Sequence, residues 1–160
     1  MSGGPVYVSV IGPGDADPDA LDAAEQVGRA LAQHGAVLVC GGRGGVMEAA
    51  CRGARAGGGT TVGILPDPDR SHANAYLDVA LPTGMGELRN GLVARAGDAV
   101  IAVGGEFGTL SEIAFALKLG RPVVGLRTWE LARAGQRVDA IVAVSTPAEA
   151  VSRALELASA

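Results

Sequence analysis

Glycine-rich turns are the feature of this chain best suited to binding an anion. Three of them each follow a short apolar run, at residues 12–14 (Gly-Pro-Gly), 41–45 (Gly-Gly-Arg-Gly-Gly) and 104–108 (Gly-Gly-Glu-Phe-Gly). Such a turn between a strand and a helix directs backbone N–H groups and the positive end of a helix dipole toward one point. Glycine also permits tight chain reversal, so a single turn is weak evidence. Three turns at one edge of a parallel sheet predict a site for a phosphorylated ligand.

Two arginines are candidates for contacting that anion. Arg43 lies inside the second turn, where it could clamp a phosphate or extend into solvent as an ordinary loop residue. Arg89 lies about one turn into a predicted helix, where a cation costs a few tenths of a kcal/mol unless an anion compensates. Arg89 shares a helical side with Leu92 and Val93, so it is predicted to face the sheet. Both arguments favour Arg89 as a ligand-binding residue.

Glu112 has two interpretations. The pattern Thr109-x-x-Glu112 is typical of a capping box, in which each side chain accepts from the other residue's backbone N–H. A carboxylate at this place could also stabilise an oxocarbenium-like centre or activate a water molecule. Taken alone, the pattern favours the cap, and one residue can serve both roles.

Strand and helix patterns alternate along the whole chain. The predicted strands are Val6–Ile11, Val37–Cys40, Thr60–Leu65, Asp78–Leu81, Asp98–Val103, Pro122–Leu126 and Ala140–Ala143. The predicted helices are Asp19–His34, Val46–Ala56, Met85–Ala96, Leu110–Leu119 and Pro147–Ala158. Continuous runs of Val, Ile, Leu and Ala are typical of parallel strands that are buried on both faces. The sequence therefore predicts one Rossmann-like, doubly wound α/β domain over residues 1–160, with a mainly parallel sheet of about seven strands.

Composition argues against several classes of partner. The net charge is −4, the 13 basic residues are scattered and aromatic residues make up 3 %, which disfavours a nucleic-acid partner. No apolar run approaches the ~20 residues that span a bilayer. No secretory signal is visible, and Cys40 and Cys51 lack metal-ligand spacing. A cytoplasmic protein without a metal site or a membrane contact is expected.

Two common phosphate-binding motifs are absent from the sequence. No Gly-Lys-Ser/Thr occurs, which excludes a P-loop. The first turn continues to Asp17 where a dinucleotide fingerprint has glycine, and strand two ends in Cys40-Gly41 without an acid for a ribose hydroxyl. Chemistry based on NAD is therefore not expected.

Three segments instead carry a resemblance to a known superfamily. Residues 41–49 (GGRGGVMEA), Arg89-Asn90 and residues 104–112 (GGEFGTLSE) resemble the LOG (lonely guy) superfamily, whose members were long mislabelled lysine decarboxylases. The similarity runs in order from about Val6 to Leu126. It is strongest to the small branch related to the DprA/Smf group, which includes the molybdenum-cofactor carrier protein. True lysine decarboxylases need pyridoxal phosphate on a lysine, and the only lysine here, Lys118, lies after the motif.

The resemblance implies an activity and an assembly. Cytokinin-activating members cleave the N-glycosidic bond of a nucleoside 5′-monophosphate, which gives free base and ribose 5-phosphate. By this likeness Arg89 and Glu112 correspond to the catalytic arginine and glutamate. The resemblance also implies a homodimer or homotetramer with the pocket near the subunit interface.

The sequence departs from those enzymes at the motifs. Asn90 stands where they usually have lysine, Gly104-Gly105-Glu106 replaces Pro-Gly-Gly, and the first turn is one residue shorter. These departures favour a carrier or sensor of a small phosphorylated ligand, either a nucleotide or a molybdopterin-type molecule, with no other cofactor required. A hydrolase and a carrier therefore both stay open. The residues predicted to bind the ligand are Gly12, Gly14, Gly41, Gly42, Arg43, Gly44, Gly45, Asn90, Gly104, Gly105, Gly108 and Thr109.

Overall fold

A seven-stranded parallel sheet forms the centre of the computed structural model, which describes residues 3–160. The strands are β1 Tyr7–Ile11, β2 Val37–Cys40, β3 Thr61–Leu65, β4 Val79–Pro82, β5 Ala99–Val103, β6 Val123–Leu126, β7 Leu131–Arg133, β8 Gln136–Val138 and β9 Ile141–Val144. The α-helices are α1 Pro18–Gln33, α2 Val46–Ala56, α3 Asn90–Ala96, α4 Phe107–Lys118 and α5 Pro147–Ala158, and a 3₁₀ turn spans Gly86–Arg89. The predicted Rossmann-like α/β fold with a parallel sheet of about seven strands is confirmed.

The order of the strands places β1 beside β5. The sheet runs β4-β3-β2-β1-β5-β6-β9, and every neighbouring pair is parallel. Val8 of β1 pairs with Ala99 of β5, and Ile11 pairs with Ala102. From this pair the chain winds outward in opposite directions, so the loops after β1 and β5 diverge and leave a crevice between them.

Helices cover both faces of the sheet. Buried residues of α1, α2 and α5 form one apolar cluster with one face, and residues of α3 and α4 form a second cluster with the other. All five residues of β5 are buried. This two-sided burial explains why the strands are continuous apolar runs rather than alternating patterns.

Three local differences separate the structure from the sequence-based expectation. The predicted helix 85–96 is divided into the 3₁₀ turn and α3. Helix α4 begins at Phe107 rather than at Leu110, because Glu106 holds the extended conformation of an N-cap (φ −112°, ψ −176°). The antiparallel hairpin β7–β8 was not predicted, since its strands have three residues each and lack apolar alternation.

The other element boundaries differ from the predicted ones by one residue at most, or agree with them. Within residues 3–160, no helix has the length and apolar character needed to span a membrane.

Candidate functional site

The candidate site is a cavity of about 200 Å³ at the crevice between the β1 and β5 turns. Pockets that enclose a drug-sized ligand usually exceed ~300 Å³, so a nucleotide would extend beyond this cavity. The first and third glycine turns both contribute to it, together with the 3₁₀ turn and α4. The lining residues are Gly12, Pro13, Gly14, Met47, Glu87, Arg89, Asn90, Glu106, Gly108, Thr109 and Glu112.

Close packing at Gly12 holds the first turn against the sheet. A Cβ atom there would lie 2.5 Å from the Val103 carbonyl oxygen and 2.6 Å from Val46 Cγ1. Only glycine therefore lets the turn after β1 rest on the end of β5 and the start of α2. At Gly14, by contrast, no heavy atom of residues 3–160 outside Gly14 and its two chain neighbours lies within 4 Å of the place that a Cβ atom would occupy. The backbone at Gly14 is thus open to a ligand.

Within residues 3–160, Arg89 is a buried cation without a carboxylate partner. The side chain is 8 % exposed and lies at the end of the 3₁₀ turn. Its Nη1 donates to Asn90 Oδ1, its Nη2 donates to the Gly41 carbonyl at 3.4 Å, and its buried Nε has no partner within residues 3–160. Burying an unpaired charge is costly, and an anion bound in the cavity would offset that cost.

Asn90 and Gly41 position the Arg89 side chain. Asn90 is itself buried, and its Nδ2 donates to Ser111 Oγ at 3.0 Å, which fixes the amide oxygen toward Arg89. A Cβ atom on Gly41 would lie 2.7 Å from Arg89 Nη2 and 2.8 Å from Met47 Sδ. Gly41 therefore provides the space for the guanidinium, and its predicted contact with a phosphate stays a prediction.

The rest of the second glycine turn does not line this cavity. Arg43 faces Asp67, with Nη1 3.9 Å from Oδ1, and the Gly42 carbonyl accepts from the backbone of Asn74 at 2.9 Å. Gly45 borders a neighbouring depression, and Gly44 lies near Glu48. Of the three predicted turns, the first and third line the cavity, and residues 42–45 of the second lie beside it. Strand β1 separates β2 from β5, which moves the turn after β2 aside by one strand spacing.

Only part of the third glycine turn lines the cavity, and the rest packs against the chain. Gly104 lies at φ +65°, and its N–H donates to the Leu126 carbonyl at 3.1 Å. A Cβ atom on Gly105 would lie 2.7 Å from Trp129 Nε1. These two glycines therefore pack against the chain at the end of β6, whereas Gly108 and Thr109 border the cavity.

The predicted capping box between Thr109 and Glu112 is wrong. Thr109 is the third residue of α4, and it forms the box with Glu106: its Oγ1 accepts from the Glu106 N–H at 3.4 Å. The helix begins three residues earlier than predicted, so Glu112 lies in its second turn. Glu112 is consequently free of a capping role and turns its side chain, 7 % exposed, toward the cavity.

Burial keeps Glu112 protonated at neutral pH. Loss of hydration raises the pKa of the Glu112 carboxyl from 4.5 to about 8; the charge of Glu87 raises it further, and that of Arg89 opposes the rise. A neutral carboxylic acid beside a buried guanidinium can donate a hydrogen bond to a bound oxygen atom. It cannot act as a base until the pH approaches its pKa.

Four lining residues lay outside the predicted set: Pro13, Met47, Glu87 and Glu106. Two of these residues could have been predicted from the sequence. Glu106 directly precedes a helix, and Glu87 lies two residues before Arg89. With Glu112, three carboxyl groups share the cavity with one guanidinium. Across residues 3–160 no three or more His, Cys, Asp and Glu side chains group as metal ligands. The expected absence of a metal stays a prediction.

The sequence profile of the SLOG cluster4 family matches residues 5–151. The chain belongs to this family, which confirms the predicted superfamily.

Solved structures of molybdenum-cofactor proteins share the fold over nearly the whole chain. The molybdenum cofactor binding protein of Rippkaea orientalis superposes with a TM-score of 0.88 at 37 % identity, over 97 % of this chain and 98 % of that one. For the molybdenum cofactor carrier protein of Chlamydomonas reinhardtii the TM-score is 0.86 at 32 % identity, over 98 % and 99 %.

A plant relative shares a shorter region. The probable cytokinin riboside 5′-monophosphate phosphoribohydrolase LOGL5 of Oryza sativa is 36 % identical over 94 residues, which cover 57 % of this chain and 38 % of the rice protein.

The raised pKa of Glu112 predicts a pH-dependent stability. Between pH 4.5 and about 8 the unfolded chain loses the Glu112 proton and the folded chain retains it. The free energy of unfolding should therefore fall as pH rises, by up to about 1.4 kcal/mol per pH unit from this group. Urea denaturation across this range should show that the free energy of unfolding depends less on pH in Glu112→Gln than in wild type. At pH 8 the variant should be more stable than wild type. The exposed Glu156→Gln is the control, and equal slopes for Glu112→Gln and wild type would contradict the assignment.

Proposed function

We propose that this protein binds and carries a phosphorylated heterocyclic ligand, either a nucleotide or a molybdopterin-type molecule. The observation that carries the proposal is the buried Arg89 guanidinium, whose Nε has no partner within residues 3–160 and which lines a cavity with the first glycine turn. An anionic group at this place would gain a charge-assisted hydrogen bond and the open backbone at Gly14. The proposed ligand therefore places its phosphate at the Arg89 end of the cavity.

The relatives support a carrier. Two molybdenum-cofactor proteins match this chain over 97 % or more of its length, whereas the rice phosphoribohydrolase matches 57 % of it. The protonated state of Glu112 supports the same function, because a neutral acid neither stabilises a positive sugar nor accepts a proton from water. Asn90, which holds Arg89 in place, also differs from the lysine usual in the hydrolases.

A second candidate function is hydrolysis of a nucleoside 5′-monophosphate. Its support is the placement of Arg89 and Glu112, the two residues that correspond to the hydrolases' catalytic pair, in one cavity. In such a reaction water replaces the base at the anomeric carbon, the C–N bond breaks, and the base leaves with a proton. Arg89 would bind the phosphate or sugar, and ionised Glu112 would stabilise the positive sugar or activate the water.

We also propose that the protein is a homodimer or homotetramer. The 3₁₀ turn, α3, α4 and the residue that follows α4 expose large apolar side chains: Leu88 at 73 %, with Leu92, Phe115 and Leu119 also accessible. Large exposed apolar side chains on neighbouring elements are typical of an interface between subunits. Leu88 lies next to Arg89, so the interface would adjoin the cavity.

The first test of the function is binding. Wild-type protein should gain thermal stability from AMP, GMP, ribose 5-phosphate or molybdopterin, because a ligand that binds only the folded state stabilises it. Isothermal titration should show Arg89→Ala weakening the binding at least about tenfold, since a charge-assisted hydrogen bond is lost. Arg43→Ala, which removes the arginine outside the cavity, is the matched control and should bind as wild type does. A ligand affinity that Arg89→Ala leaves unchanged, or that Arg43→Ala lowers equally, would refute the proposal.

The second test separates carrier from hydrolase. A carrier should retain bound nucleoside monophosphate during prolonged incubation, with no free base or ribose 5-phosphate detected by chromatography. A hydrolase should release both products, with a rate that increases from pH 6 toward pH 9 as Glu112 ionises around pH 8. Glu112→Gln should then lose about 100-fold or more of that rate. Steady turnover at neutral pH would overturn the carrier proposal.

The third test concerns assembly. Light scattering should give wild-type protein a mass of at least twice the 15.9 kDa chain. Leu88→Arg should shift the mass toward that of the monomer, because a charge cannot be buried cheaply in an apolar interface. Leu81→Arg changes an exposed leucine on β4, at the far edge of the sheet, and should leave the mass unchanged. A monomeric wild-type protein would rule out the proposed assembly.

A further inference from the structure

A chain of three hydrogen bonds joins the side chain of Arg89 to the third glycine turn. Arg89 Nη1 donates to Asn90 Oδ1, and Asn90 Nδ2 donates to Ser111 Oγ at 3.0 Å. Ser111 Oγ in turn donates to the Gly108 carbonyl at 2.6 Å. Arg89, Asn90 and Gly108 all line the candidate cavity, whereas Ser111, which precedes Glu112 on α4, is not one of its lining residues. A residue outside the cavity therefore completes the connection between residues that line it.

The donors and acceptors of this chain fit in only one direction. A guanidinium donates and never accepts, so the amide oxygen of Asn90 faces Arg89 and its amide nitrogen faces Ser111. The Ser111 hydroxyl has one hydrogen, which the Gly108 carbonyl accepts, so the hydroxyl oxygen is left to accept from Asn90. Ser111 therefore holds the amide of Asn90 in the orientation that Arg89 requires.

The groups that hold Arg89 in place are uncharged. Within residues 3–160 its hydrogen-bond acceptors are the Asn90 amide and the Gly41 carbonyl, and its Nε has none. The carboxyl of Glu112 is protonated around pH 7, because burial raises its pKa to about 8. A carboxylate at the place of the amide would offset the positive charge, whereas an amide orders the side chain and leaves that charge for a ligand.

We propose that Ser111 is a positioning residue for anion binding, which orders Arg89 through Asn90 without neutralising the guanidinium. Ordering a mobile side chain on binding costs affinity, so an arginine that is already held in place binds a phosphate more tightly than a mobile one. Removal of the Ser111 hydroxyl leaves the Asn90 N–H without this acceptor and frees the amide to turn. This inference rests on the proposed function, because it needs a phosphate at Arg89.

The first test is the affinity for AMP, measured by isothermal titration. Ser111→Ala should bind AMP at least about threefold more weakly than wild type, since a hydrogen bond that orders Arg89 through Asn90 is lost. Ser111→Thr keeps the hydroxyl and should bind AMP to within about twofold of wild type. Ser152→Ala removes an exposed serine of α5, so it is the matched control and should bind as wild type does.

A double-mutant cycle separates positioning from a general structural effect. In an Arg89→Ala background, the further change Ser111→Ala should leave the AMP affinity unchanged, because no guanidinium remains to be ordered. If Ser111→Ala lowers the affinity equally with and without Arg89, the residue supports the fold rather than Arg89, and the inference is overturned.

Asn90→Asp tests whether the chain has to be uncharged. The aspartate has nearly the same volume and keeps an oxygen toward Arg89, but its carboxylate competes with a phosphate for the guanidinium. AMP binding should therefore weaken at least about tenfold, the loss expected when a charge-assisted hydrogen bond to the ligand is forfeited.

An AMP affinity that stays at the wild-type value in Ser111→Ala or in Asn90→Asp would overturn the inference while leaving the Arg89 site intact. No binding of AMP to wild-type protein would contradict the inference and the nucleotide form of the proposed function together.

Discussion

The structure depends on the parallel pairing of β1 with β5. At this pair the winding of the chain reverses, so two loops leave the sheet in opposite directions and a crevice opens between them. Gly12 allows the first of these loops to rest on the carbonyl of Val103, at a distance that no side chain would permit. The cavity, its glycine backbone and the start of α4 all follow from this one contact between neighbouring strands.

A second constraint is the burial of Arg89. Its guanidinium contacts an amide and a carbonyl rather than a carboxylate, and Asn90 is in turn held by Ser111 on α4. Within residues 3–160, the buried guanidinium therefore has no carboxylate within salt-bridge distance, an arrangement that opposes stability unless an anion binds there. The same burial that makes this cation costly keeps Glu112 neutral, so one environment creates both chemical features of the site.

The fold was predictable because its signals are local and repeated. Short apolar runs, glycine turns and helical spacing recur from Val6 to Pro147, and a two-sided parallel sheet is the arrangement that buries such strands. The hairpin β7–β8 was not predictable, since strands of three mostly exposed residues carry almost no pattern. The incorrect capping box at Glu112 has a similar origin, because Thr109-x-x-Glu112 and Glu106-x-x-Thr109 both resemble capping boxes. In the structure Glu106 has the extended backbone conformation of an N-cap, so the second pattern forms the box.

By itself, the sequence determined the α/β class, the family, and Arg89 and Glu112 as the side chains of interest, because residue type and spacing carry that information. Only the tertiary structure shows which of the glycines line the cavity. Strand order, a long-range property, brings the first and third turns together and moves Arg43 with its turn toward Asp67. Burial decided the protonation of Glu112, and packing decided that Gly41 and Gly105 make room for Arg89 and Trp129. These outcomes depend on atoms that are distant in sequence, so no local pattern could contain them.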